Sequence, residues 1–177
     1  MIKEIKGNPF LAAYVKESCE DNGICVSIDR QKLDENDYAI IKVDEYYEAL
    51  RLGDTPSSID FLVSVDCVTN HYTLYLMEFK NVKDRDGFTP SNVRKKFDTV
   101  IHDFMSERFG DIFQNSKYQY KDILAYFVHN LLTSGNTYPK DTTRREIELF
   151  REPYEFMNKT ILIRDINPED LIVKRIT

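Results

Sequence analysis

The sequence predicts an α/β fold in which helices flank a mixed central β-sheet. Three consecutive patterns lead to this class: a hairpin over residues 58–80, an amphipathic helix over residues 91–108, and an almost wholly apolar strand over residues 121–130. A helix between two strands is a suitable right-handed crossover. Strands 72–80 and 122–129 are therefore expected to be adjacent and parallel.

The chain is expected to form a single domain over residues 1–177, with its core at about residues 40–130. A chain of 177 residues is long enough for one well-buried domain. No repeat, low-complexity segment or linker divides it.

The first third of the sequence predicts two helices and two strands. Residues 8–23 begin with an Asn-Pro pair and end at a glycine, which is typical of a helix. Residues 24–28 and 38–43 are rich in β-branched side chains and predict strands. Residues 44–53 predict a short helix that Asp44 would cap and that also ends at a glycine.

The hairpin consists of strands 58–66 and 72–80, joined by a polar loop over residues 67–71. The long helix that follows is expected to begin near Thr89 or Ser91, residues that commonly cap helices.

The remaining segments predict shorter elements. Residues 83–87 predict a loop, and the charged residues 142–150 predict a helix. Residues 160–164 and 171–176 predict two short strands near the end of the chain.

Composition and charge narrow the class of protein. The net charge is −6, so the chain as a whole does not resemble a polyanion-binding protein, although a site could still recruit metal ions. Three cysteines without a CxxC pair suit a reducing compartment, and three scattered histidines lack zinc-site spacing. The N-terminus lacks the apolar core of a signal peptide, and no segment approaches the length of a membrane span. We therefore expect a cytoplasmic protein without membrane association.

Glu78 and Lys80 interrupt an apolar run at the end of the second hairpin strand. Side chains alternate along a strand, so these two residues project from the same face. If Asp66 faces Tyr72 across the loop, the register places Asp60 opposite Glu78, with Cβ atoms about 5 Å apart. The hairpin therefore predicts a cluster of Asp60, Glu78 and Lys80.

Two facing carboxylates repel each other unless a cation lies between them. Lys80 could be that cation, but Mg²⁺ fits better, because it favours one or two carboxylates together with water and phosphate oxygens. The peptide carbonyl of Phe79 could add a ligand to those of Asp60 and Glu78. Lys80 would then orient or deprotonate a water molecule for attack on phosphorus.

This arrangement resembles the PD-(D/E)XK nuclease superfamily: Asp60, then Glu78-Phe79-Lys80 on the next strand, then a helix and a buried strand. The resemblance covers about residues 40–130, and Ile59 stands where the motif has proline. It implies a restriction-endonuclease-like fold and a Mg²⁺ ion, or Mn²⁺ in its place, bound by Asp60 and Glu78. It also implies that Lys80 assists the nucleophilic water.

The resemblance implies one more metal ligand, because many members of the superfamily add a glutamate from the helix that precedes the hairpin. Glu48 and Glu45 both match, and we prefer Glu48. For both residues the alternative is a solvated face of the helix.

Arg94, Lys95 and Lys96 begin the helix that follows the predicted site. They are candidates for contacts with nucleic-acid phosphates, and a solvated helix face explains them equally well.

Together these features predict a Mg²⁺-dependent phosphodiesterase that cleaves DNA, in a restriction or other defence system, with RNA as the less favoured substrate. Cleavage of both strands of a duplex would suggest a homodimer with one site per strand, or a chain that works with a partner subunit. The alternative is a non-catalytic, nuclease-like scaffold or binding subunit of a larger complex. The acidic net charge favours this alternative, whereas the complete set of two acids and a lysine favours the nuclease.

Overall fold

The computed structural model describes residues 1–81, 89–130 and 151–176. Within them, helices flank a central mixed sheet of six strands, as the sequence predicts. The strands, in order across the sheet, are β1 (Val15–Lys16), β4 (Tyr38–Lys42), β5 (Phe61–Val68), β6 (His71–Lys80), β7 (Gln119–His129) and β10 (Ile163–Ile166).

Two smaller sheets accompany the central one. The first has three strands in the order β11 (Ile172–Val173), β3 (Ile24–Ile28) and β2 (Cys19–Asp21). The second is a hairpin of β8 (Tyr154–Phe156) and β9 (Lys159–Ile161).

The central sheet changes from antiparallel to parallel at β6. Strands β1, β4, β5 and β6 pair antiparallel, whereas β7 is parallel to β6 and β10 is parallel to β7. The predicted parallel pairing of strands 72–80 and 122–129 is therefore confirmed. The carboxyl ends of β6, β7 and β10 consequently meet at one edge of the sheet.

The helices are short. They are α1 (Ile2–Gly7), α2 (Val43–Ala49), α3 (Pro90–Asp98) and α4 (Gly110–Phe113), with 3₁₀ turns at Ala12–Tyr14 and Pro168–Asp170 and a π-helix at Thr99–Arg108. None of the helices in the described ranges has the length and apolar character needed to cross a bilayer.

The predicted helix over residues 91–108 is divided into α3 and the π-helix. It begins after Thr89, with Pro90 in the first turn, where the missing proline N–H leaves no intrahelical bond unmade. The π-helix ends with a bond from the Phe109 N–H to the Phe104 carbonyl at 3.0 Å, five residues earlier.

The predicted helix over residues 8–23 is wrong. Asn8 accepts hydrogen bonds from the N–H groups of Phe10 and Leu11, but only a 3₁₀ turn follows, and the chain then enters β1 and β2. Asn22 and Gly23 have φ angles of 50° and 78° and form the turn between β2 and β3. An Asn-Gly pair is the strongest short-range signal for a two-residue hairpin, and here it overrides the helical pattern.

The β5–β6 hairpin has the predicted register, with Asp66 opposite Tyr72 and Phe61 opposite Met77. The predicted five-residue loop over 67–71 is wrong, because the strands extend to Val68 and His71 and a bulge follows Asp66. Asn70, with a φ angle of 60°, allows the tighter turn.

The C-terminal strands are more finely divided than predicted. The strand expected over residues 160–164 is split between β9 and β10, and only Ile172–Val173 of residues 171–176 form a strand. The predicted loop at residues 83–87 and the predicted helix at residues 142–150 lie outside the described residues.

One face of the central sheet packs against α3 and the π-helix. Leu74 and Leu76 of β6 share a core there with Phe97 and Phe104, and all four side chains are fully buried. Each such burial stabilises the fold by about 1.5–3 kcal/mol. The next residue of β6 that projects from this face is Glu78, so its carboxylate enters the layer between the sheet and the helices.

The opposite face packs against the small β2–β3–β11 sheet. Tyr75 and Met77 of β6 share this second core with Val26. The Tyr75 hydroxyl donates a hydrogen bond to the backbone carbonyl of Lys174 at 2.9 Å, which ties the C-terminal segment to the sheet.

Candidate metal centre

Asp60 immediately precedes β5, and Glu78 lies near the end of β6. The β5–β6 ladder begins with the pair of Phe61 and Met77, and continuation of this register by one residue places Asp60 opposite Glu78. Both are buried, with 7% and 3% of their surfaces exposed. One carboxylate oxygen of Asp60, Oδ2, accepts a hydrogen bond from the backbone N–H of Phe79 at 2.6 Å.

The two carboxylate oxygens of Glu78 have different surroundings. Oε1 accepts a hydrogen bond from the Lys96 ammonium at 2.5 Å. Oε2 is buried and has no hydrogen-bond partner in the described part of the chain. Burial raises the pKa of Glu78 to about 8, and the charge of Asp60 adds to the rise while Lys96 opposes it. A buried acceptor without a donor is a position that a cation would satisfy.

A second group of carboxylates extends from Asp60 toward the small sheet. Oxygens of Asp21, Asp44 and Asp60 all lie within 4.8 Å of one another, so the three residues could hold a metal ion. The Lys42 ammonium contacts all three, at 2.8 Å from Asp21, 2.9 Å from Asp44 and 3.3 Å from Asp60. We call this group the Lys42 cluster.

The Lys42 side chain reaches the cluster from the end of β4. It is 5% exposed, and its ammonium lies 4.5 Å from the centre of the Phe61 ring. Burial by itself would lower the pKa of Lys42, but the hydrogen bond to Asp21 and the charge of Asp60 outweigh burial and raise the pKa. Lys42 is therefore held as a cation.

The net pKa shifts of two acids of the cluster, Asp44 and Asp21, have opposite directions. Burial raises the pKa of Asp44 to about 6 even though Lys42 opposes the rise, because the nearby charge of Asp60 acts in the same direction as burial. At Asp21 burial also acts to raise the pKa, but the hydrogen bond and the charge of Lys42 outweigh it, so the pKa is lowered.

Lys80 is the last residue of β6 and is half-buried. It lies two residues beyond Glu78 and so projects from the same face of the sheet. In the parallel ladder it is in register with His129 of β7. His129 is buried, and its Nε2 atom lies 3.8 Å from a carboxylate oxygen of Asp165 in β10. Ionisable side chains therefore continue along this edge of the sheet.

The two candidate glutamates of α2 lie apart from the described group of three carboxylates. Glu48 is exposed, and Glu45 forms an ion pair with Lys16 at 2.6 Å. The carboxylates that the structure groups with Asp60 are those of Asp21 and Asp44.

Sequence reasoning missed three members of the site. Asp44 was expected to cap α2, but its side chain contacts the Lys42 ammonium. Lys42 follows four apolar or aromatic residues in β4, and a lysine at the end of a buried strand is the signal that was available. Asp21 carried no signal of its own, because its position depends on how the small sheet packs.

The three basic residues of α3 have three different environments. Lys96 contacts Glu78, as described above. Arg94 donates a hydrogen bond to the backbone carbonyl of Glu152 at 2.8 Å, and its guanidinium lies 4.8 Å from the centre of the Tyr154 ring. Lys95 is exposed.

Comparisons with family models, with curated proteins and with solved structures find no match for this chain. The site itself consists of a buried carboxylate pair, two ammonium groups in contact with it, and a lysine on the same face of the sheet.

Proposed function

We propose that the chain is a Mg²⁺-dependent phosphodiesterase that cleaves DNA, with the PD-(D/E)XK arrangement that its motif resembles. The observation that carries this proposal is the buried pair of Asp60 and Glu78, in which Glu78 Oε2 has no hydrogen-bond partner in the described residues. Two buried carboxylates side by side are compensated either by a proton, which the raised pKa of Glu78 reflects in the metal-free chain, or by cations.

The charges of the site support a single divalent ion. Four carboxylates meet here, and two ammonium groups, those of Lys42 and Lys96, contact them. When all the acids are ionised, these contacts leave two negative charges uncompensated. One Mg²⁺ ion, or Mn²⁺ in its place, would balance them.

Asp60, Glu78 and the Phe79 carbonyl are the groups that would hold the ion. Mg²⁺ favours such oxygen ligands and keeps several waters. When bound, it would polarise a phosphoryl oxygen and lower the pKa of a coordinated water. The hydrogen bond from the Phe79 N–H to Asp60 keeps the first ligand oriented beside the second.

Three lysines, Lys80, Lys95 and Lys96, have separate roles in the proposed reaction. Lys80 projects from the same face as Glu78, so its ammonium would orient the attacking water by donating a hydrogen bond to the water oxygen. Lys95, exposed on α3, is available to a phosphate of the nucleic acid. Lys96 would hold Glu78 in place until the ion binds.

DNA is proposed as the substrate because of the resemblance of the motif to nucleases that act on DNA, with RNA less favoured. An acidic chain with few basic contacts would bind nucleic acid weakly by itself. A homodimer or a partner subunit would supply the missing affinity and a second site for the other strand.

One observation favours a second candidate, a non-catalytic scaffold in a larger complex. Lys42 and Lys96 contact the acids directly, and ion pairs of this kind can stabilise a buried cluster without metal. The two candidates differ in one measurable property, the response to divalent ions.

The test compares wild type with Asp60→Asn in EDTA, Mg²⁺ and Mn²⁺. The nuclease proposal predicts that each ion raises the unfolding temperature of wild type. At an ion concentration of one hundred times Kd, binding should increase the free energy of unfolding by about 2.7 kcal/mol, and Asp60→Asn should abolish this gain. Asp111→Asn, an exposed acid on α4, is the matched control and keeps the gain. Cleavage is followed on duplex, single-stranded and branched DNA and on RNA. A wild-type protein without ion-dependent stabilisation and without cleavage of any of these substrates would refute the proposed metal site and favour the scaffold.

A further inference from the structure

The Lys42 cluster has the composition of a cation site, and a cation already occupies it. Three carboxylates from β2, from the start of α2 and from the residue before β5 surround one ammonium group. A lysine ammonium has three N–H donors and no acceptor, so three carboxylates match its donors one to one. The contact distances of 2.8, 2.9 and 3.3 Å place the nitrogen in contact with all three.

We propose that Lys42 is a built-in cation that occupies the place of a second metal ion, so that the site takes one divalent ion and not two. The number of ions rests on the proposed metal site at Asp60 and Glu78. The assignment of Lys42 rests on the geometry of its own cluster.

The chain holds the ammonium in place from both ends of its side chain. At the backbone, Lys42 pairs with Phe61 in the β4–β5 ladder. At the other end, the ammonium lies over the Phe61 ring, an arrangement that adds a cation–π attraction. Withdrawal of the ammonium would leave the buried Asp60 and the half-buried Asp21 and Asp44 facing one another without a cation, which would destabilise the fold.

A divalent ion from solution would compete poorly with Lys42 for the three carboxylates. The ammonium is tethered, so its local concentration is in the millimolar range or higher and does not fall on dilution. A divalent ion that joined the cluster while Lys42 remained would meet a positive charge a few ångströms away. The cluster is therefore closed to a second ion as long as Lys42 is present.

Asp60 connects the cluster to the proposed metal site. Its Oδ1 atom contacts Lys42, whereas its Oδ2 atom accepts the bond from the Phe79 N–H. Lys42 thus fixes the rotation of the Asp60 carboxylate from the side away from Glu78. In this role Lys42 is a positioning residue, and it lowers the negative charge that a metal ion at Asp60 and Glu78 would experience.

The experiment counts Mn²⁺ ions bound to the metal-free full chain, by calorimetry and by the electron paramagnetic resonance of free Mn²⁺. We expect one ion in wild type and two in Lys42→Met, because the three carboxylates would then accept a divalent ion. The double variant Lys42→Met with Asp21→Asn should return to one. Lys117→Met is the matched control, since it removes an ammonium from Glu4, an acid outside the cluster, and it should stay at one.

The outcomes separate this inference from the proposed function. Two ions in wild type, or no additional ion in a folded Lys42→Met protein, would overturn the assignment of Lys42. No ion in wild type but one in Lys42→Met would refute the metal site at Asp60 and Glu78 and support the assignment of Lys42.

Asp21→Asn in the wild-type background provides a test that does not require Lys42→Met to fold. Asp21 contacts the Lys42 ammonium at 2.8 Å. If the cluster holds Lys42, the number of Mn²⁺ ions should stay the same and their affinity should fall by no more than the roughly 10–100-fold that loss of an outer-shell partner causes, since no ligand is lost. A larger loss of affinity would show that Asp21 is itself a metal ligand and would overturn the inference.

Discussion

The Asp60 carboxylate accepts a hydrogen bond from the backbone N–H of Phe79 at 2.6 Å. The bond joins the residue that precedes β5 to the residue between Glu78 and Lys80. Because a backbone donor cannot rotate away as a side chain can, the position of Asp60 relative to Glu78 depends on the strand register and not on a flexible contact.

Metal-free wild-type protein should lose stability as the pH rises toward 8. Burial raises the pKa of Glu78 from 4.5 to about 8, so between these values the folded state binds a proton that the unfolded state has released. Stability therefore falls with rising pH across this window. Asp44, with its pKa raised to about 6, acts in the same direction only at lower pH.

Thermal unfolding in EDTA from pH 4 to 9 measures the decline, and Glu78→Gln should remove the part above pH 6. An equal decline above pH 6 in Glu78→Gln would assign it to another group.

Lys80→Ala should lower the rate of phosphodiester cleavage by about 10²–10⁴-fold and leave Mn²⁺ binding intact, because the carboxylates remain. Lys95→Ala, which removes an exposed lysine of α3, is the comparison and should keep the single-turnover rate at saturating DNA. Single-turnover cleavage and Mn²⁺ calorimetry separate the two properties. Wild-type cleavage by Lys80→Ala would remove Lys80 from the mechanism.

Arg94→Ala and Lys95→Ala should differ although the residues are adjacent. Arg94 contacts the Tyr154 ring and the Glu152 carbonyl, so its loss should lower the free energy of unfolding by about 1–2 kcal/mol. Lys95 is exposed, so its loss should leave stability unchanged but weaken DNA binding and reduce the salt dependence of log K by about one unit. Urea unfolding and DNA titrations at several salt concentrations measure these effects. An unchanged salt dependence in Lys95→Ala would exclude a phosphate contact.

Gly23→Ala should destabilise the fold by about 1–2 kcal/mol, because the φ angle of 78° is unfavourable for any residue with a Cβ atom. The new Cβ would also lie 3.4 Å from Asn81 Nδ2, whose own hydrogen bond holds the Asn22 carbonyl. Gly7→Ala is the control: a Cβ there meets no atom within 4 Å, so the change should be within about 0.5 kcal/mol. Equal effects of the two substitutions in urea unfolding would contradict the assigned turn.

Phe104→Ala should destabilise the fold by about 3–5 kcal/mol. The Phe104 ring is fully buried and contacts the rings of Tyr46, Phe109 and Phe113 at centroid distances of 5.4, 4.8 and 6.1 Å. Phe10→Ala, at a side chain that is 70% exposed, should change stability by less than about 0.5 kcal/mol. A small effect at Phe104 would show that the π-helix does not anchor this core.

The large sheet and half of the candidate site could be read from local patterns. Strand alternation and one assumed cross-strand pair were enough to place Asp60 opposite Glu78, because the register of a hairpin follows from a single correct pairing. The parallel neighbour β7 followed from the handedness of the crossover.

The other half of the candidate site depends on contacts between the two sheets, and no periodic pattern in the sequence indicates these contacts. Asp21 reaches the site because the small sheet packs over one face of the central sheet, and Lys42 is directed there by its place opposite Phe61. The Asn-Pro start and the closing glycine predict a helix over the segment that contains Asp21, whereas Asn22 and Gly23 form a hairpin turn. A helix prediction over this segment does not indicate that Asp21 is the last residue of a strand.

The pairing of β11 with β3 has a consequence for the order of folding. Ile172 lies beside Ser27, so this parallel ladder joins segments from opposite ends of the described chain. Contacts between distant segments form slowly, because the loop between them must close before they contribute stability. The β5–β6 hairpin, whose strands are separated by a two-residue turn, can form early. We therefore expect the strand pair that carries Asp21 to gain its full protection from amide exchange after the hairpin, so that the Lys42 cluster is completed late in folding.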